Sequence, residues 1–300
     1  MRRPLVALLV GLLWLVGSPA RAWLGDGHMA TGALAYDALM RRDPQAAAAV
    51  LRLMRAHPDR ARFDANLGAL EGPARDRRTF ELMARWPDEV RRTPYDRDSW
   101  HYDQKVVSGV RYALPFGFGG ARRAFGAELR RLRDSRAPAG DRAVALCWLL
   151  HIVGDMHQPV HAGLWMDARF PLTDEGGNRS WIRAAPGEPP QKLHWFWDSA
   201  GGLARLHLES PAALEAAIAQ AHPDDGRPAQ AEAADYDGWV AESRELARAV
   251  AYRRGALFLG RSPEEARPAP ADYQAQVQAA SLERLALASR RTAALLVGLR

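Results

Sequence analysis

Cysteine is nearly absent from this chain of 300 residues, in which Cys147 is the only one. One cysteine excludes an internal disulfide, so the fold must be held by an apolar core or by bound metal. Cys147 itself lies in an apolar run, where we expect an inert core residue. Lysine is also scarce, since Lys105 and Lys192 are the only two. The formal net charge of +6 at pH 7 therefore rests on arginine and is weak evidence for a polyanionic partner.

Long hydrophobic runs are absent apart from Leu5–Val16, which follows the basic residues Arg2 and Arg3. A small-x-small triplet ending at Ala22 comes next, and this layout is typical of a secretory signal peptide. The run is too short to cross a bilayer, which takes about 20 residues. We therefore predict that residues 1–22 are removed and that the mature chain begins at Trp23. The predicted location is periplasmic or secreted, with no stable membrane association; an uncleaved anchor is the alternative.

Strand-like alternation is scarce and helical periodicity recurs along the rest of the chain, which favours one all-α domain over residues 23–300. Two loops stand out, Tyr112–Gly120 for its glycines and aromatics and Ala162–Gln191 for a length that is often functional. The predicted helices are His28–Arg42, Pro44–Ala56, Arg75–Arg92, Ala121–Asp134, Asp141–Gln158, Lys192–Arg205, Pro211–His222, Tyr236–Leu259 and Pro270–Leu299.

The segment from His151 to His161 carries the strongest sign of a metal site. His151 and Asp155 are four residues apart and leave the same helix face, while Pro159 ends the helix and lets His161 fold back. Two imidazoles and a carboxylate can thus converge, and zinc accepts N and O ligands at about 2 Å. A His and an Asp on a buried helix need a reason, since unpaired burial is costly. A His–Asp hydrogen bond in the core is the alternative.

A second pair with the same spacing, His194 and Asp198, lies between large apolar residues on another predicted helix. Two such pairs on separate helices resemble the way metal sites are assembled in helical bundles. His28 follows Trp23 closely, and a free amine on Trp23 could chelate a metal together with its own carbonyl oxygen. By itself, this N-terminal segment would be interpreted as an ordinary helix start.

Two further segments, around Asp88 and His101, could supply remaining ligands, although each alone would be interpreted as solvated surface. His157 is two positions from Asp155 and so faces elsewhere; a supporting or packing role is expected for it.

The ordered set of these motifs resembles the S1/P1 nuclease family of zinc-dependent single-strand nucleases. The resemblance extends from Trp23 to Asp198 and is only loose in the C-terminal third. Its motifs, as they stand here, are Trp23-x4-His28, Trp86-x-Asp88-x2-Arg91, His101-Tyr102, His151-x3-Asp155-x5-His161, Gly176-Gly177-Asn178 and His194-x3-Asp198.

This resemblance implies a mainly helical fold of the phospholipase C/nuclease type around three zinc ions. The implied ligands of the first zinc are Asp88, His101, His151 and Asp155; those of the second are His161, His194 and Asp198. The implied ligands of the third are Trp23, through its amine and carbonyl, His28 and a shared Asp155. Arg91 matches the basic position near the phosphate, Tyr102 an aromatic that stacks on a base, and Asn178 a substrate contact.

The implied activity is hydrolysis of single-stranded DNA and RNA to 5′-phosphorylated nucleotides, with 3′-nucleotides as a further substrate class. Two nearby zinc ions can lower the pKa of a bridging water toward ~7, and the hydroxide would attack phosphorus in line. Asp88 and Asp155 would act in catalysis as ligands, together with Arg91. Unstacked bases can rest on an aromatic side chain, which favours single strands. A monomer is expected.

Three other functions compete with this prediction. A zinc-dependent phospholipase C is disfavoured because such enzymes tend to have Glu where this chain has Asp198, and because their first His lies farther from the N-terminal Trp. A zinc-binding protein without catalysis would load metal without turnover, and a helical interaction protein would bind no zinc. The chain also departs from some relatives at Ser199, where they place an amide, and in the long interval from His28 to Asp88.

Overall fold

The computed structural model describes residues 23–109, 117–203, 211–224 and 235–300. The predicted signal peptide and most of the predicted loop Tyr112–Gly120 lie outside these ranges. Helices dominate the described chain, so the predicted mainly helical fold is confirmed. The α-helices are α1 Gly25–Arg42, α2 Pro44–Met54, α3 Arg60–Leu67, α4 Gly72–Glu89, α5 Ala121–Arg133, α6 Ala139–Met156, α7 Pro159–Ala162, α8 Leu193–Asp198, α9 Pro211–Ala221, α10 Tyr236–Leu246 and α11 Tyr273–Leu296. Within those ranges no helix combines the length and the hydropathy that crossing a bilayer requires.

Helix α6 runs through the centre of the largest apolar core. Its residues from Ala145 to Met156 are all buried, because α4, α5, α2 and α11 pack around it. A helix that is apolar on every side is expected only where neighbours cover all of its faces. Cys147 is fully buried here, and burial raises the pKa of its thiol well above the ordinary value. This agrees with the predicted inert core residue.

Helix α1 packs closely against α4 and α11, and glycine makes this approach possible. A Cβ added at Gly32 would lie 2.4 Å from the carbonyl oxygen of Phe80, so a side chain there would force the two helices apart. Helix α4 contains Pro87 near its C-terminal end, followed by the buried Asp88. The N terminus of α1 and the C terminus of α4 thereby reach the same end of α6.

The long loop predicted over Ala162–Gln191 is only partly correct, because this segment contributes short strands to two small sheets. Strand β2 (Gly163–Leu164) pairs in parallel with β1 (Lys105–Val106), and β3 (Trp181–Arg183) pairs antiparallel with β4 (Pro190–Lys192). These strands border a second apolar core that includes Trp165, Trp197 and Tyr252. The strands are too short to show as alternation in the sequence.

Two predicted helices were too long. The helix expected over Lys192–Arg205 ends at Asp198, since Ala200, Gly201 and Gly202 adopt positive φ angles that a right-handed helix excludes. The helix expected over Tyr236–Leu259 ends at Leu246 and continues as a π-helical turn, Ala247–Ala251. Helix α3 was not predicted, because only Phe63 and Leu67 on it are buried.

Candidate metal centre

Eight histidines and aspartates from six separate elements meet where helix ends converge. All are buried, with exposed fractions between 0% and 6%. Helix α1 supplies His28, α4 supplies Asp88, and a short 3-10 helix, Asp98–His101, supplies His101. The remaining members are His151 and Asp155 on α6, His161 on α7, and His194 and Asp198 on α8. All eight side chains that were predicted as ligands are thus brought together.

Asp155 lies at the centre of one half of this cluster. One carboxylate oxygen, Oδ1, is 3.2 Å from Nε2 of His28, while Oδ2 is 3.1 Å from Nδ1 of His101 and 3.3 Å from Nε2 of His151. Asp88 joins them, with Oδ1 4.0 Å from Nε2 of His151. Burial, and then the charges of neighbouring carboxylates, raise the pKa of Asp155 well above the ordinary value. An ionised Asp155 therefore needs a cation close by.

The other half consists of His161, His194 and Asp198. The Nε2 atoms of the two imidazoles are 3.1 Å apart, and Asp198 lies 3.7 Å from the first and 3.5 Å from the second. Burial lowers the pKa of each imidazole to about 4, so both are neutral near pH 7. Burial also raises the pKa of Asp198 to about 7, which again marks a place where a positive charge would be stabilising.

Backbone carbonyl groups fix the orientation of three of the imidazoles. Nδ1 of His151 is 2.8 Å from the oxygen of Ala84, and Nδ1 of His161 is 2.8 Å from the oxygen of His101. Nδ1 of His194 is 2.6 Å from the oxygen of Gly176. A neutral imidazole that donates from Nδ1 has a lone pair on Nε2, which is the usual arrangement of a metal-binding histidine. In all three residues Nε2 points into the cluster.

The donor atoms fit divalent metal ions. Three sets of side chains have ligand atoms within 4.8 Å of one another, namely His28 with Asp88 and His151, His101 with His151 and Asp155, and His161 with His194 and Asp198. Nitrogen and carboxylate oxygen donors of this kind suit zinc. The first two sets share His151, as expected where two ions lie close together, while the third set shares no member with them.

Trp23 is fully buried beside this cluster. Its indole Nε1 donates a hydrogen bond of 3.0 Å to the oxygen of Gly154, and the next residue, Leu24, donates from its backbone to the oxygen of Asp198 at 2.8 Å. The chain around Trp23 is therefore held between α6 and α8, at the two aspartates that sequence reasoning had singled out.

Gln158 is a site residue that the sequence analysis missed. Its amide donates to Oδ1 of Asp198 at 2.6 Å and accepts from the backbone of Val160 at 2.6 Å. One buried side chain therefore orients a candidate ligand and caps the helix that carries His161. The dipeptide Gln158-Pro159 could have indicated this cap, since proline favours the first position of a helix.

His157 lies outside the cluster, as predicted. Its Nδ1 bonds to the oxygen of Val153 at 2.7 Å and its Nε2 faces Arg291 at 2.8 Å. Arg291 and Arg284 on α11 also bind Glu242 on α10. His157 thus fastens the end of α6 to the C-terminal helices, the part of the chain where the motifs are weakest.

The three predicted substrate contacts differ in their surroundings. Arg91 bonds to Asp88 and to Asp98, and Tyr102 is half-buried, its ring stacked on His161 at 4.8 Å between centroids. Asn178 donates to the oxygen of Glu175, and no contact with the His/Asp cluster is seen for it among the described residues. Its neighbour Gly176 does serve the site, through the carbonyl that accepts from His194.

A helical fold whose helix ends converge on buried histidines and aspartates has the arrangement from which metal sites in helix bundles are built. A family model of S1/P1 nucleases matches residues 23–299, so the chain belongs to the S1/P1 nuclease family. It is therefore a nuclease of a metal-dependent family, and the match includes the C-terminal third. A search of curated proteins gave no match.

Proposed function

We propose that this chain is a zinc-dependent phosphodiesterase that hydrolyses single-stranded DNA and RNA to 5′-phosphorylated nucleotides and also accepts 3′-nucleotides. Its exported form begins at Trp23 and acts as a monomer. The observation that carries the proposal is the opposed pair of imidazole nitrogens in His161 and His194. Both rings donate from Nδ1 to carbonyl groups, so both Nε2 lone pairs face each other across 3.1 Å.

Two lone pairs at this distance repel each other unless a positive charge lies between or beside them. Protonation of one ring would remove the repulsion, but the depressed pKa values of both imidazoles disfavour it near pH 7. A cation that is bound by both nitrogens and by Asp198 removes this repulsion while both rings stay neutral. The same reasoning applies around Asp155, whose carboxylate is surrounded by three imidazoles.

We assign three zinc ions to this cluster. The first is held by Asp88, His101, His151 and Asp155, the second by His161, His194 and Asp198, and the third by Trp23, His28 and Asp155. When bound, the ions supply positive charge for a phosphodiester and activate the attacking nucleophile at neutral pH.

Two side chains of the protein would handle the substrate itself. Arg91, whose guanidinium reaches from Asp88 to the surface, presents N–H donors to a phosphate oxygen. Tyr102 lies over His161 and offers an aromatic face on which an unstacked base can rest. The bases of a duplex are stacked within it and could not reach this ring. Tyr102 stays a neutral phenol, because burial raises its pKa above the ordinary value. We also propose Asn178 as a third substrate contact, and only its place in the Gly176-Gly177-Asn178 motif supports this.

The test is elemental analysis of the purified protein combined with hydrolysis assays on single-stranded DNA, RNA and 3′-AMP. The variant His194→Ala should lose about one zinc and nearly all activity. His57→Ala provides a matched control, since His57 is also a buried histidine but packs between Phe63 and Trp86 outside the cluster. Loss of zinc in both variants would show that the effect comes from general unfolding.

Phosphatidylcholine is included as a further substrate, because its hydrolysis in place of DNA would support a phospholipase C. Zinc loading without turnover on any phosphodiester would point to a zinc-binding protein without catalysis. Absence of bound zinc in active protein would refute the assigned metal.

A further inference from the structure

The guanidinium group of Arg91 connects the buried cluster with the protein surface. Its Nη2 is 3.2 Å from Oδ1 of Asp88, and its Nη1 is 2.9 Å from Oδ1 of Asp98. The side chain of Asp88 is 4% exposed and that of Asp98 is 75% exposed. One end of the guanidinium therefore faces a candidate metal ligand, while the other holds a solvated carboxylate.

The backbone around Asp98 places this carboxylate. Arg92 adopts a left-handed φ of 63°, and its N–H donates to Asp96 at 2.7 Å, so the chain turns back directly after Arg91. The 3-10 helix that follows begins at Asp98 and ends at His101. Residues three apart eclipse each other in a 3-10 helix. Asp98 thus lies on the same edge as His101, one turn closer to solvent.

We propose that Asp98 occupies on Arg91 the position that a substrate phosphate takes, and so weakens the binding of nucleic acid. This inference rests on the proposed function of Arg91 as a phosphate contact. Carboxylates and phosphates bind the same N–H fork of arginine, so the two anions compete for it. Because Asp98 is largely exposed, its pairing with Arg91 is weak and a phosphate can displace it. Asp98 is a positioning residue that sets affinity without touching the reacting atoms.

The expected effect follows from the charge on Asp98. If the displaced carboxylate stays about 5 Å from the bound phosphate, two unit charges at that distance in water interact by roughly the equivalent of a fourfold change in affinity. Asp98→Asn keeps the shape and removes the charge. We expect this variant to bind inorganic phosphate about fourfold more tightly and to show a KM for single-stranded DNA lowered by a similar factor at low ionic strength.

The salt concentration provides an independent test of this charge effect. The Debye length falls from about 10 Å at 0.1 M to about 3 Å at 1 M, so the advantage of Asp98→Asn should vanish in 1 M salt. Glu71→Gln is the matched control. Glu71 is an exposed carboxylate just before the N terminus of α4, and the 18 residues of that helix, roughly 27 Å in length, separate it from the end that carries Asp88. The Glu71→Gln variant also loses one negative charge, and it should leave the phosphate affinity and the KM for single-stranded DNA unchanged.

The decisive experiment combines Asp98→Asn with Arg91→Gln. Phosphate affinity is measured by calorimetry on the zinc-loaded protein, and KM by hydrolysis of single-stranded DNA. If Asp98 acts through Arg91, the Asp98→Asn gain disappears in the Arg91→Gln background. An equal gain in both backgrounds, or an unchanged or weakened phosphate affinity in the single variant, would overturn the inference. A wild-type protein without nuclease activity would refute the proposed function, while the phosphate titration would still test Asp98.

Discussion

Gly154 offers a sharp test of the cluster, because a single methyl group there would collide with one candidate ligand and little else. A Cβ added at Gly154 would lie 2.9 Å from Nδ1 and 3.0 Å from Cε1 of His28. The His28 ring also stacks on His151 with 3.9 Å between centroids and 17° between planes. The imidazole therefore has to shift by a few tenths of an ångström, and we expect this to disturb the 3.2 Å contact between its Nε2 and Oδ1 of Asp155.

Two effects on stability oppose each other in Gly154→Ala. Replacing glycine by alanine inside a helix stabilises it by about 1 kcal/mol, while overpacking a buried position costs about 1–3 kcal/mol. The protein without metal should therefore be destabilised by at most ~2 kcal/mol. Displacement of a ligand is expected to weaken the metal bound through His28 by roughly 10- to 100-fold, by analogy with supporting residues of metal sites.

The assays are zinc stoichiometry after dialysis against a weak chelator and thermal unfolding with and without zinc. Gly126→Ala is the control, since a Cβ at this position of α5 would meet only the flexible Arg130 side chain, at 3.5 Å. We expect Gly126→Ala to be stabilised by about 1 kcal/mol with full zinc content. A Gly154→Ala protein that keeps all its zinc and gains stability as Gly126→Ala does would refute the placement of His28 against α6.

Three further predictions concern other parts of the molecule. Extra residues before Trp23 should lower zinc content and activity together, because Trp23 is fully buried; a fully active extended protein would exclude its amine as a ligand. Gln158→Leu removes the donor to Asp198 and should weaken zinc by roughly 10- to 100-fold in competition titrations, whereas unchanged affinity would mean that Asp198 needs no support. Burial lowers the pKa of His57 from 6.5 to about 4, so its stabilising contribution is complete above pH 6.5 and falls as the pH drops toward 4, by at most roughly 3 kcal/mol. In chemical unfolding, the free energy of unfolding of His57→Asn should depend less on pH between 6.5 and 4 than that of the unchanged protein. An equal dependence in the two proteins would contradict the lowered pKa of His57.

Much of the site could be predicted from local spacing. His151 with Asp155 and His194 with Asp198 are each four residues apart, and a helix places such residues on one face whatever surrounds it. Asp88 and His101 could be assigned only through the family resemblance. The family match supports that resemblance, while the assignment of particular ligands to particular zinc ions stays a proposal.

The errors in the fold have local causes that periodicity does not show. The helix after Lys192 stops where Ala200 adopts a φ of 50°, a conformation that alanine seldom takes and that the surrounding packing must impose. The helix after Tyr236 loosens into a π turn, which leads to Tyr252 and its hydrogen bond to the buried Asp174. In both places tertiary contacts override a sequence that would otherwise continue the helix.

The sequence by itself determined that the protein is mainly helical, which helix faces are apolar, and which pairs of histidine and aspartate share a face. These properties depend on neighbours within one or two turns. Only the tertiary structure decided that Gly176 orients His194, that Gln158 holds Asp198, and that Asp98 reaches Arg91. Such contacts depend on how distant segments pack and on which buried polar groups then need partners, and no local spacing specifies that.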